Sequence, residues 1–278
     1  MTATQSPLER LRERRAAIGA PLCLGIDPRP DSLPEGLGRD APGVEAFARG
    51  LVEAAADLVV AVKLNTAYFE ALGSAGWAAL ERTRAAIPPG PIVILDAKRG
   101  DIGPSAERYA AALMGHLRAD AVTLQPYLGE DAIEPFLDYP GRLVYLLART
   151  SNPSAGRFQN LDVDGVPLST AVARWAAERW TDGRVGLVVG ATEPTELRRL
   201  RAEVPAPGFL VPGVGAQGGD LAAAVETCDG SAAPGLVNVS RAIAEAATGP
   251  DWRAAAAAAA QAWLDDLREA GATLGATS

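Results

Sequence analysis

Eight short runs rich in branched aliphatic residues recur along the chain, each followed by a stretch of helical character. The runs fall at residues 21–27, 58–64, 91–96, 120–125, 142–148, 185–190, 208–212 and 235–240. Runs as continuous as LVVAVKL and PIVILD suit strands buried on both faces, the environment of a parallel sheet. The intervening stretches, rich in Ala, Leu, Glu and Arg, lie at 44–56, 75–86, 105–117, 130–137, 168–181, 195–203, 219–227 and 251–270. Ser105, Thr195 and Asp251 stand where N-caps would begin three of these helices. A further short helix, over about residues 6–18, precedes the first run.

Eight β/α units between about residues 21 and 270 are the number and size of a (β/α)₈ TIM barrel, here read as a single domain of 278 residues. A doubly wound open sheet satisfies the same periodicity. No GxGxxG follows the first strand, which removes the usual dinucleotide argument for that alternative. No linker-like stretch divides the chain. The longest irregular segment, 150–167, follows the fifth strand and reads as a binding loop.

Composition narrows the partners. Lys and Arg number 26 against 34 Asp and Glu, and the net charge of −8 argues against broad binding to nucleic acid or anionic membranes. Any anionic ligand must then be met by a few locally placed cations. Cys23 and Cys228 have no metal-ligand spacing and read as buried thiols of a cytoplasmic protein. His116 is the sole histidine, which excludes a histidine cluster or an HExxH zinc site and leaves it a structural role. The charged start of the chain predicts no secretory signal, and no apolar run is long enough to cross a bilayer.

In a barrel, chemistry is placed at the C-terminal ends of the strands. Asp27 ends the first run, Lys63 lies near the end of the second, and the third leads into Asp96-Ala97-Lys98-Arg99-Gly100-Asp101. Residues two apart on a strand share a face, so Asp96 and Lys98 should both point into the barrel mouth. Charges placed there are costly unless they pair or serve chemistry. An ion-pair network at the rim is the structural alternative. Lys63 on the neighbouring strand favours function, because two lysines and two aspartates can then alternate around one pocket. The Gly-rich stretch 211–219 and Ser240-Arg241 follow the last two strands, where such barrels bind phosphate with backbone N–H groups and a helix N-terminus. Glycines alone would serve tight turns, but Arg241 beside them makes phosphate binding the stronger reading.

The stretch DAKRGDIG at 96–103 resembles the DxKxxD signature of the orotidine 5′-phosphate decarboxylase family. Lys63, the 212–219 loop and Ser240-Arg241 match further elements of that family in order, so the resemblance runs from Asp27 to Arg241. KLNTAYFE at 63–70 and TSNPS at 150–154 are similar to its bacterial branch with longer loops, although Leu64 stands where that branch is expected to carry proline. The resemblance implies a charged tetrad of Lys63, Asp96, Lys98 and Asp101, with Asp101 reaching the partner's site in a homodimer. It implies Lys98 as proton donor to the ring carbon that loses CO₂, and a reaction free of metal and cofactor. Asp27 would hold ribose hydroxyls with Lys63, Ser151 (or Thr150 beside it) would bond the pyrimidine, and Gln217 and Arg241 would hold the phosphate. The product would be uridine 5′-phosphate, in the last step of pyrimidine nucleotide synthesis. The rivals are a metal-dependent keto-sugar-phosphate decarboxylase of the same superfamily and a noncatalytic nucleotide-binding barrel.

Overall fold

The computed structural model of the chain describes residues 5–215 and 218–277. Strands β1 (Leu22–Ile26), β2 (Ala61–Asn65), β3 (Ile92–Arg99), β4 (Ala121–Leu124) and β5 (Leu143–Arg149) arise from the first five aliphatic runs. A small antiparallel hairpin, β6 (Asp162–Val163) with β7 (Val166–Pro167), comes next and stands apart from the main sheet. The series then resumes with β8 (Val185–Val189), β9 (Phe209–Pro212) and β10 (Leu236–Val239). Eight parallel strands pair in the order β1, β2, β3, β4, β5, β8, β9, β10, and β10 returns to β1 through Leu22↔Val237, Cys23↔Asn238 and Leu24↔Val239. The sheet is therefore a closed barrel, and the open-sheet alternative is excluded.

Strand parity divides the apolar residues into two cores. Leu22, Leu24, Ile26, Val62, Leu64, Val93 and Leu95 face outward and pack with the helices. Cys23, Ala61, Ile92, Ile94, Ala121, Tyr145, Val188, Leu210 and Leu236 fill the barrel interior. Leu8 and Leu11 of the helix Pro7–Ile18 join the interior cluster and close the N-terminal end of the barrel. That helix starts with a capping box between Ser6 and Glu9. Beneath it, the buried carboxylate of Asp120 accepts from Arg10, from Arg142 at 3.1 Å and from the Val93 N–H at 3.0 Å. This end of the barrel is held by charge pairing as well as by packing.

Two helix starts differ from expectation. Ser105 and Thr195 lie inside their helices, Gly103–Ala110 and Pro194–Glu203, rather than at the caps. Each helix instead carries a proline in its first turn, Pro104 or Pro194, whose preset φ and missing N–H suit that position. Asp40, Asn65 and Asp220, like Ser6, are residues whose side chains do accept from first-turn N–H groups. Segment 150–167 is also more ordered than its sequence suggests: it holds the helix Gly156–Gln159 and the β6–β7 hairpin. Cys23 and Cys228 are buried free thiols. Among the described residues no helix is long and apolar enough to cross a membrane.

Candidate active site

The inward parity of each strand continues upward into a polar layer. Above Ala61 stands Lys63, above Ile94 stands Asp96, above Ala121 stands Thr123, and above Leu236 stands Asn238. All four line one cavity of about 530 Å³ at the C-terminal mouth, together with Asp27, Lys98, Thr150, Ser151, Asn152, Gln159, Ser240 and Arg241. Leu147, Val188, Leu210 and Pro212 complete an apolar wall on the opposite arc. One side of the mouth can thus meet charge and the other a flat ring.

The charged side is a continuous chain of contacts. Lys63 Nζ lies 2.9 Å from Asp96 Oδ2 and 3.8 Å from Asp27 Oδ1, and Lys98 Nζ lies 2.5 Å from Asp96 Oδ1. Ser240 Oγ donates to the other oxygen of Asp27. Burial alone would raise the Asp96 pKa, but the ammonium groups of Lys63 and Lys98 outweigh it and hold the carboxyl well below the ordinary range. Burial likewise opposes the charge of Lys63, yet Asp96 and Asp27 outweigh it and raise its pKa above that of a free lysine. Both groups are ionised at neutral pH. Their side chains differ in reach: Lys63 is 5% exposed, whereas Lys98 is 48% exposed and free to meet a ligand. Asp27 Oδ1 is buried without a hydrogen-bond partner among the described residues, so it presents an open acceptor.

Lys98 reaches the cavity by a route other than simple alternation. Its φ is +46°, in the left-handed region, and the β3–β4 register shifts between Leu95 and Arg99. Arg99 turns away from the mouth, pairing with Glu70 and lying over the Tyr109 ring at 5.3 Å. Asp101 lies past the end of β3 and does not line the cavity of its own chain; its Oδ1 accepts from the Ile102 N–H at 2.9 Å.

The loop after β5 approaches from the side. Gln159 folds back so that Oε1 accepts from the Thr150 N–H at 2.9 Å while Nε2 donates to Thr150 Oγ1 at 2.8 Å. Thr150 Oγ1 in turn donates to Asn152 at 2.6 Å, which ties the loop together around Ser151. Gly190 permits this approach, because a Cβ there would lie 2.9 Å from that of Ser151. Both Thr150 and Ser151 line the cavity. On the far side, Arg241 begins a short helix, and its guanidinium makes no ion pair or hydrogen bond among the described residues. Gly213 and Gly215 lie beside it, while the expected Gln217 falls outside the described residues. Thr123, Asn238, Asn152 and Gln159 were absent from the sequence expectation. Parity could have signalled the first two, each a polar residue two places above an inward apolar one.

Among the described residues, no group of three or more His, Cys, Asp or Glu side chains is arranged to hold a metal ion. The charges facing a ligand are those of three basic side chains and two carboxylates. Fold and site together define a (β/α)₈-barrel enzyme that carries fixed lysine and aspartate charges at its C-terminal mouth. The chain belongs to the Orotidine 5'-phosphate decarboxylase / HUMPS family, whose profile matches residues 20–259. It is 49% identical over 252 residues to the orotidine 5'-phosphate decarboxylase of Roseiflexus castenholzii, covering 90% of this chain and 92% of that one. The Herpetosiphon aurantiacus enzyme of the same name is 44% identical over 259 residues, covering 92% and 96%. Among solved structures, Leishmania donovani OMP decarboxylase superposes with a TM-score of 0.81 at 39% identity, over 95% of this chain and 99% of that one.

Proposed function

We propose that this chain converts orotidine 5′-phosphate to uridine 5′-phosphate and CO₂, the final step in making the pyrimidine nucleotide. The observation that carries the reading is the Lys63–Asp96–Lys98 chain at the mouth of a family member's barrel, with Arg241, unpaired among the described residues, across the cavity. In the reaction the bond from ring carbon to carboxylate breaks, and its electron pair stays on a carbon that no adjacent carbonyl stabilises. The Lys98 ammonium stands beside that developing charge as a preorganised counter-charge. It then donates its proton to the carbon as general acid and regains one from solvent. The cationic assistance comes from the chain itself, so neither metal nor cofactor is needed.

Asp96 holds Lys98 in place and lies near the leaving carboxylate, and Lys63 keeps Asp96 ionised. The open oxygen of Asp27 accepts from a ribose hydroxyl, with Lys63 close by. Ser151 meets the pyrimidine from the tied loop. Arg241 holds the phosphate, with Gln217 as its partner, and phosphate binding remote from the ring supports the chemistry there.

The active form is a homodimer in which Asp101 enters the partner's cavity. Two features support this: Asp101 does not line its own cavity, and large apolar side chains stand exposed on the loops after β3 and β4. Ile102, next to Asp101, is 52% exposed, and Leu128 and Tyr127 on the loop after β4 are 42% and 86% exposed. A cytoplasmic location suits a substrate of this kind and the two free thiols.

The test is the loss of orotidylate ultraviolet absorbance on adding purified protein, with and without EDTA. Turnover that persists in EDTA supports the reading. A folded, nucleotide-binding sample without turnover would make it a noncatalytic binder, and a requirement for magnesium would favour the keto-sugar-phosphate reaction.

A further inference from the structure

In the β3–β4 pairing, Leu95 sits opposite Val122 and Arg99 opposite Leu124. Three residues of β3, Asp96, Ala97 and Lys98, therefore face a single residue of β4, Thr123. A bulge of this size takes backbone groups out of the ladder. The Lys98 N–H is one of them, and its bond goes to a side chain instead: it donates to Thr123 Oγ1 at 3.0 Å. The same hydroxyl donates its one proton to Asp96 Oδ1 at 2.8 Å. Asp96 Oδ1 is also the oxygen on which Lys98 Nζ rests.

We propose that Thr123 is a positioning residue for the reaction, its hydroxyl holding the Lys98 backbone and the Asp96 carboxylate in one geometry. The inference rests on the decarboxylase reading given above. A hydroxyl has one proton and accepts through its lone pairs, so Thr123 can serve both groups only in this direction. It is 1% exposed on a strand that is otherwise apolar, and no water-facing role competes for it. Lys98 is in the left-handed region, which a residue with a side chain keeps only when its surroundings hold it there. The Thr123 bond is the contact that does so from the neighbouring strand. Without it the Lys98 N–H is left unpaired, the turn relaxes toward an ordinary strand conformation, and the ammonium loses its aim. Substrate contacts through Asp27, Ser151 and Arg241 do not pass through this hydroxyl.

The experiment compares Thr123→Val, which keeps the shape and removes the hydroxyl, with Thr123→Ser, which keeps the hydroxyl. Folded sites are counted by titration with uridine 5′-phosphate, so that rates refer to folded protein. Valine should lower kcat on the order of 100-fold, the scale of a small misplacement of a reacting group. KM and uridine 5′-phosphate affinity should change little, and serine should restore most of kcat. If the valine variant does not fold, Thr123→Ala makes the same comparison. A wild-type kcat in the variant lacking the hydroxyl overturns the proposal, as does an equal loss in the serine variant. Absence of wild-type turnover would instead overturn the decarboxylase reading, so the two failures are distinct.

Discussion

The ammonium of Lys63 stands 2.9 Å from Oδ2 of Asp96 across adjacent parallel strands, with side chains only 5% and 10% exposed. The β2–β3 register sets Asn65 opposite Asp96 and Lys63 opposite Ile94, so the two inward side chains meet diagonally at the top of the barrel. Breaking such a pair leaves an uncompensated charge in a site that water hardly reaches.

Asp96→Asn should therefore lower the unfolding free energy by about 3 kcal/mol at neutral pH, the lower end of the usual cost because Asp27 remains near Lys63. Its pKa is depressed in the folded protein, so this contribution is complete above the unfolded carboxylate value of about 4 and declines as pH falls below it. Lys63 is raised, so its share is complete below the ordinary 10.5 and is lost as pH climbs past that value. Urea unfolding of both proteins between pH 3 and pH 7 (roughly the range over which an aspartate titrates) checks this. Curves separated by the same amount at every pH would contradict it.

In the proposed mechanism, Lys98→Ala removes the group that meets the developing carbanion and supplies its proton. Turnover should fall by roughly 10⁴-fold or more, while uridine 5′-phosphate still binds through the remaining contacts. Stopped-flow absorbance and calorimetric titration measure the two quantities. Rates near wild type would take Lys98 out of the mechanism.

Arg241→Ala deletes the charged donor proposed to hold the phosphate. KM should rise about 10- to 100-fold, the worth of a hydrogen bond to a charged group. Orotidine lacking its phosphate should be turned over equally by both proteins. A selective loss with the full substrate identifies the phosphate contact; an unchanged KM rejects it.

The proposed shared-site dimer predicts complementation. Lys98→Ala and Asp101→Ala should each be nearly inactive alone. Mixed after mild dissociation, they form hybrids in which one mouth carries both native groups and the other neither. Random pairing should then restore roughly a quarter of wild-type activity. No recovery, with hybrids demonstrated by mass spectrometry, would place Asp101 outside the partner's site.

Much of the site was legible because it is written in local rules. Asp96 and Lys98 stand out as charges at the end of an aliphatic strand, and Lys63 stands out in the same way on its neighbour. Thr123 and Asn238 did not stand out, because Thr and Asn within short apolar runs look like ordinary strand residues until parity places them inward. Gln159 was hidden for another reason. It is nine residues from Thr150, and only the fold of that loop brings the two within 2.9 Å. Ser105 and Thr195 resemble caps in the sequence because their side chains suit the role, while the prolines beside them already meet the need of the helix start.

The amino-acid sequence by itself determined the eight strand–helix units and the charges at their ends, since side-chain period and residue type act over a few residues. The tertiary structure alone decided that β10 meets β1, and with it that the mouth is a ring. It also decided that three residues of β3 face Thr123, and so where Lys98 points. Barrel closure and strand register depend on hydrogen bonds between segments far apart in the chain. Such pairings are selected by the packing of the whole barrel, which no local pattern encodes.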